Sequence, residues 1–121
     1  MEEKNESILT SIKKMLGIVE EYEVFDSDII VFINTAFSTL LDLGIGPKAG
    51  FAITNKESKW SDYIEDWLQF NDVKTYIYLK VKLVFDPPQS SSVASSYAST
   101  VKELEWRICN RKDREGGDEN E

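Results

Sequence analysis

The chain has 121 residues and a formal net charge of −8, with 41% hydrophobic and 12% aromatic residues. This length and apolar content predict one soluble domain with a hydrophobic core. A strongly acidic chain is poorly suited to the phosphate backbone, so we do not expect nucleic-acid recognition.

The residue inventory excludes several kinds of site. The chain contains no histidine, which removes the commonest general base and the commonest metal ligand. The single cysteine, Cys109, cannot form an internal disulfide and fits a reducing compartment. The segment Met1–Glu6 has no apolar signal-peptide core behind it, and no apolar run approaches the ~20 residues of a membrane span. We therefore expect synthesis in the cytoplasm and no membrane association.

The first two predicted helices carry apolar residues at helical spacing. The first spans Ser7 to Leu16, and Ser7 is its expected N-cap. Lys13 lies off the apolar stripe and is expected in solvent. The second helix spans Asp26 to Leu43, and Asp26 is its expected N-cap.

A glycine-rich irregular loop is predicted over residues 44–59, with 51–54 as a short extended segment. Its glycines lack the spacing of a phosphate loop. A short helix is expected over residues 60–70. Three carboxylates lie close together in that helix, and without histidine or EF-hand spacing they indicate a solvated face. These are Asp62, Glu65 and Asp66.

The run over residues 73–85 predicts a helix that is apolar around most of its circumference. Such a helix is surrounded by other elements, so it should be the centre of the domain. Asn71 is its expected N-cap, and the dipeptide Pro87–Pro88 ends it. Lys80 falls inside the apolar arc and is expected to snorkel or to pair with a carboxylate of a neighbouring helix.

A long C-terminal helix is predicted from about Ser92 to Arg111, with Trp106 partly off its narrow apolar stripe. Residues 112–121 contain five acidic and two basic residues and are expected to be a disordered acidic tail. The chain is thus predicted to be all-α, a compact bundle of about five helices around residues 73–85. Residues 1–111 form its single domain.

Several short patterns follow one another along the chain in an order that resembles a known family. They are Ile12–Ile18, Glu20–Tyr22, Phe25–Ile30, Leu43–Pro47 with Trp60, Asp72–Pro88 and Ser95–Arg107. Together they resemble the small helical head–tail connector proteins of long-tailed phages and prophages, also called head-completion or adaptor proteins. The resemblance covers the chain from about residue 8 to about residue 108.

The resemblance implies a structural virion protein at the head–tail junction and not an enzyme, with no catalytic residue, metal or cofactor. It implies a ring of neighbouring copies, usually dodecameric, beneath the portal protein. Such a ring extends the DNA channel and offers a docking surface to a tail-completion or stopper protein. DNA is expected to pass without specific binding, because an acidic wall repels phosphates.

Nine residues are candidates for contacts with the portal, with neighbouring copies or with the tail. They are Phe32, Phe51, Ile53, Tyr78, Lys82, Lys102, Trp106, Arg107 and Arg111. A ring contact joins different faces of one subunit, so the candidates are spread over several elements. The last helix and the acidic tail are expected to insert between portal subunits and to order there.

Two other functions remain open from the residues alone. A small helical regulatory or interaction module with no virion role is the main alternative, although no helix is basic enough for a DNA groove. An enzyme or metal protein would use the three carboxylates named above together with Lys80. Metal addition would then raise the melting temperature, and we expect no such shift.

Overall fold

The computed structural model describes residues 5–64 and 67–120, and it describes side chains over 5–64 and 69–112. The five helices are α1 (Ile8–Met15), α2 (Asp26–Asp42), α3 (Trp60–Tyr63), α4 (Trp67–Phe85) and α5 (Ser91–Asn120). Within these ranges there is no strand, and one isolated antiparallel bridge joins Ser7 to Lys59. The predicted all-α bundle of about five helices is confirmed.

The central element is α4, as the sequence predicted. It packs against α1, α2 and α5, and between Gln69 and Leu83 only Asn71 is exposed. A helix that is apolar over most of its surface is unfavourable in solvent, so the other helices cover most of it. Lys80 is half-buried, as expected for a snorkelling side chain, and its Nζ lies 6.0 Å from the centroid of the Tyr76 ring.

The central helix begins earlier than predicted. The expected helix over residues 60–70 is divided between α3 and α4 by Ile64, which is extended with φ −141° and ψ 133°. Asn71, the expected N-cap, lies inside α4. Phe70 is fully buried, and the Gln69 side chain donates to a backbone carbonyl of α5 at 2.9 Å. Packing of Gln69 and Phe70 on the core therefore extends the helix towards the N-terminus, so that it begins before Asn71.

A buried ion pair joins α1 to the start of α2. Lys13 is 2% exposed, and its Nζ lies 2.8 Å from Asp26 Oδ1 and donates to the Glu20 carbonyl oxygen at 2.9 Å. The expectations that Lys13 lies in solvent and that Asp26 caps α2 were both wrong. Asp26 is the first residue of the helix, and its carboxylate neutralises the lysine instead. Loss of either partner would leave a buried charge unpaired, so the pair constrains how α1 meets α2.

The connection from α2 to α3 is irregular, as predicted, and it is tied to α2 at one point. The Asn34 side chain donates to the Ile53 carbonyl oxygen at 2.9 Å and accepts from the Ile53 N–H at 2.8 Å. The predicted extended segment, residues 51–54, pairs with no strand in the described part of the chain. This segment is therefore held by two hydrogen bonds between the Asn34 side-chain amide and the Ile53 backbone, and not by pairing with a strand.

The C-terminal helix continues past its predicted end. α5 starts at Ser91, after the predicted break at Pro87–Pro88, and runs beyond Arg111 to Asn120. Side chains after Lys112 lie outside the described residues. Two expectations stay predictions. One is that residues 112–121 form a disordered acidic tail, and the other is that residues 1–111 form a single domain.

Replacing Gly46 by alanine should destabilise the protein more than replacing Gly17. Both glycines have positive φ, +94° and +83°, which costs a residue with a Cβ about 1–2 kcal/mol. A Cβ on Gly46 would also lie 2.8 Å from the Tyr63 ring, whereas nothing lies within 4 Å of one on Gly17. Overpacking of that kind adds about 1–3 kcal/mol. Urea denaturation of the two variants measures the difference, and equal losses would contradict this account.

Candidate functional site

The nine candidate residues lie on four elements and do not form one cluster. Phe32 lies on α2, Phe51 and Ile53 in the following loop, Tyr78 and Lys82 on α4, and Lys102, Trp106, Arg107 and Arg111 on α5. Phe51 and Ile53 lie two residues apart in the loop, Tyr78 and Lys82 lie one turn apart on α4, and the four α5 candidates lie on successive turns of that helix. A contact surface must therefore be sought region by region.

The two loop candidates differ in what they can reach. Ile53 is 1% exposed and held by Asn34, so its side chain belongs to the core. Phe51 is half-buried, with its ring centroid 5.0 Å from that of Phe37 and 5.0 Å from that of Tyr63. It borders an open groove of about 440 Å³ between α2 and the loop. Phe51 can therefore contact a partner, whereas Ile53 serves the fold.

The hydroxyl group of Tyr63 is buried beneath this loop. No hydrogen-bond partner for it lies in the described part of the chain. Burial raises the pKa of Tyr63 to about 12, because a phenolate would be poorly solvated there. The hydroxyl is thus neutral at physiological pH and stabilises nothing that a phenylalanine ring would not.

Phe32 is part of a row of aromatic rings at one end of the bundle. Its ring centroid lies 6.4 Å from that of Phe85, Phe85 lies 5.3 Å from Phe25, and Phe25 lies 5.8 Å from Tyr22. The last two belong to the connection between α1 and α2. This row holds that connection against the C-terminal end of α4.

Sequence reasoning missed the exposed apolar residues of this connection. Tyr22 is 47% and Val24 is 68% exposed, and the next residue, Phe25, lines an open groove of about 360 Å³. The groove is lined by Leu16, Ile18, Phe25, Phe85 and Asp86. The available signal was the run of apolar residues in a connection outside any predicted helix, where polar residues are the usual choice.

The two α4 candidates are partly covered. Tyr78 is half-buried. Lys82 Nζ donates to Asp86 Oδ2 at 2.9 Å, one turn further along the helix. This hydrogen bond raises the pKa of Lys82, so the ammonium is charged at physiological pH. An exposed pair of this kind contributes little to stability.

Two of the α5 candidates hold α5 to α4. Asp72 Oδ2 accepts from Arg111 Nη1 at 2.7 Å, and Asp72 Oδ1 accepts from Arg107 Nη1 at 3.3 Å. Arg107 also donates to Glu103 at 2.7 Å. Both guanidinium groups are therefore engaged within the molecule. The main role of Arg107 and Arg111 is to hold α5 against α4.

Trp106 is the clearest candidate for an intermolecular contact. Its side chain is 68% exposed on the outer face of α5, and Lys102, one turn earlier, is exposed on the same face. Tryptophan buries more apolar area than most side chains and is enriched at the energetic centres of protein interfaces. Its exposure is unfavourable in the isolated subunit, so this position suits a partner that covers it.

The described residues contain no arrangement typical of a metal site, and no described helix is long and apolar enough to cross a membrane. Asp62, one of the three close carboxylates, accepts from the Lys59 N–H at 2.8 Å and so caps α3. Glu65 and Asp66 lie outside the described residues.

The variant Tyr63→Phe should be more stable than the natural chain by up to about 1 kcal/mol, because it removes a buried hydroxyl without a partner. It should also change the alkaline behaviour. A folded-state pKa raised above the unfolded value of about 10 means that stability falls as pH rises from about 10 to about 12. The variant should lose less over that window, as measured by urea denaturation at several pH values. Parallel declines would show that Tyr63 does not titrate in this way.

The family comparison gives a match over most of the chain. A family model described as "Phage connector protein" matches residues 8–115, which include α1 to α4 and most of α5. No curated protein and no solved structure is significantly similar to the chain. The match agrees with the resemblance carried by the short patterns and with the helical architecture. The chain belongs to the phage connector protein family.

Proposed function

We propose that the protein is a head–tail connector of a phage or prophage virion. Copies form a ring beneath the portal, extend the DNA channel and offer a docking surface to a tail-completion or stopper protein. The observation that carries the proposal is the family match over residues 8–115. The regulatory module without a virion role has no comparable support.

The distribution of exposed apolar residues supports this function. A ring subunit needs separate faces for its two neighbours, for the portal and for the tail. Large exposed apolar residues lie on three separate elements, with Val24 before α2, Val31 on α2 and Trp106 on α5. These exposed side chains would be covered in an assembly, which removes the cost of exposing them in the free subunit.

The charge of the chain supports passage of DNA without binding. The net charge of −8 opposes adhesion of phosphates to a channel wall. Two of the basic residues, Arg107 and Arg111, are engaged with Asp72. We assign the portal contact to the C-terminal end of α5 and the acidic residues that follow Arg111.

Deletion of the gene should separate head from tail assembly. We expect DNA-containing or leaky heads and separate, complete tails by electron microscopy. A plasmid copy of the natural gene should restore tailed virions, and Lys48→Glu, an exposed change in the loop, serves as a neutral control. Normal tailed virions from the deletion would contradict the proposed function.

A chain that ends at Arg111 should keep its core and lose affinity for the portal. Among the side chains of α5 that the structure describes, the buried ones are Val101, Leu104 and Ile108. They precede the truncation, so the free energy of unfolding should change little. Co-purification with the portal protein measures the binding. Unchanged portal binding would refute the C-terminal contact and leave the connector function in place.

A further inference from the structure

We propose that the outer face of α5 around Trp106 binds the connection between α1 and α2 of a second copy of this chain. The α5 face consists of Lys102, Trp106 and Asn110, which are exposed at successive turns. The connection face consists of residues 17–28 with Phe85. This inference deepens the proposed ring function and rests on it, because it names the two surfaces that meet between neighbours.

The connection face provides an apolar site for a large side chain. Tyr22, Val24 and Phe25 are exposed hydrophobic residues. Phe25 also lines a groove of about 360 Å³, whose other lining residues are apolar except for Asp86. Burial of Trp106 in this groove would remove apolar surface of both copies from water. The indole has two rotatable bonds, so ordering it on binding costs little conformational entropy.

The charges of the two faces are complementary. Residues 17–28 contain five acidic residues and no lysine or arginine, and one of these carboxylates, Asp26, is neutralised by Lys13. The α5 face carries one charged residue, Lys102, beside the uncharged Trp106 and Asn110, and it has no acidic residue. Two connection faces would repel each other, whereas an α5 face and a connection face attract.

The two faces cannot meet within one molecule. The hydrogen bond from the Tyr76 hydroxyl to Glu105 at 2.8 Å places Trp106 level with the middle of α4. The connection face lies at the other end, where Phe25 contacts Phe85. At 1.5 Å per residue, Tyr76 and Phe85 are about 13 Å apart along the axis. The contact is therefore between copies.

A contact between two different faces repeats from copy to copy. A series of bound copies keeps one α5 face open at one end and one connection face open at the other. Further copies are added until the rotation between neighbours closes a ring. A symmetric pair of identical faces would stop at a dimer. In its head-to-tail form the contact fits a ring subunit, whereas a two-fold dimer would occupy both faces of both copies at once.

Sedimentation velocity of the purified full chain tests the contact. The natural chain should form larger species as its concentration rises, and salt should weaken them. Trp106→Ala and Val24→Asp should each weaken association by about 30-fold or more, as expected for a residue at the energetic centre of an interface. Both positions are exposed, so circular dichroism should show an unchanged fold.

Mixing the two variants gives the sharper result. The Trp106→Ala chain keeps its connection face, and the Val24→Asp chain keeps its α5 face. A mixture should therefore form a one-to-one dimer that grows no further, while each variant alone remains monomeric. A mixture that stays monomeric would overturn the pairing of these two faces.

A charge exchange provides the matched control. Lys102→Glu and Glu21→Lys should each weaken association, and the two changes combined in one chain should restore it. Lys48→Glu, the same change on the exposed loop outside both faces, should have no effect. Equal losses from Lys48→Glu and Lys102→Glu would show that net charge, and not this contact, governs association.

Failure of this inference is distinguishable from failure of the proposed function. A natural chain that remains monomeric up to about 1 mM, the concentration at which weak contacts of about 4 kcal/mol form, would overturn the contact. The deletion phenotype in particles would still decide the connector function. Conversely, normal tailed virions from the deletion would overturn the proposed function. Head-to-tail association of the purified chain would still support the contact.

Discussion

The rest of the structure depends on the burial of α4 along most of its length. Its side chains at Val73, Ile77 and Val81 are fully buried, so exposing them to solvent would cost a large part of the hydrophobic free energy. α1, α2 and α5 each use one face to cover it. Each of these helices then has a single outward face, and those outward faces are the surfaces available to partners.

Polar contacts at the edges of this core determine how the covering elements are arranged. The Trp60 Nε1–H donates to Ser11 Oγ at 2.6 Å and ties α3 to α1. Lys13 and Asp26 join α1 to α2, and Asp72 holds α5 through two arginines. These charged groups are engaged inside the molecule. An interaction with another protein therefore depends on exposed apolar side chains and on the exposed charges around them.

The outward faces are unequal in charge, and this inequality has a consequence for assembly. The connection between α1 and α2 is acidic and apolar, whereas the outer face of α5 places the positive charge of Lys102 beside Trp106. Self-repulsion of a chain with net charge −8 opposes random association. A contact that brings unlike faces together reduces this repulsion.

The sequence by itself determined the helical class, the central helix, the break at Pro87–Pro88, the cap at Ser7 and the family, because these depend on local periodicity, backbone restriction and residue order. It also indicated Trp106, since one turn of helix decides which residues lie opposite the apolar stripe. Only the tertiary structure decided that Lys13 and Ile53 are buried. It also decided that α4 begins before Asn71 and that Val24 is exposed. These outcomes depend on contacts between elements distant in the chain, and helical periodicity carries no information about which element covers a given face.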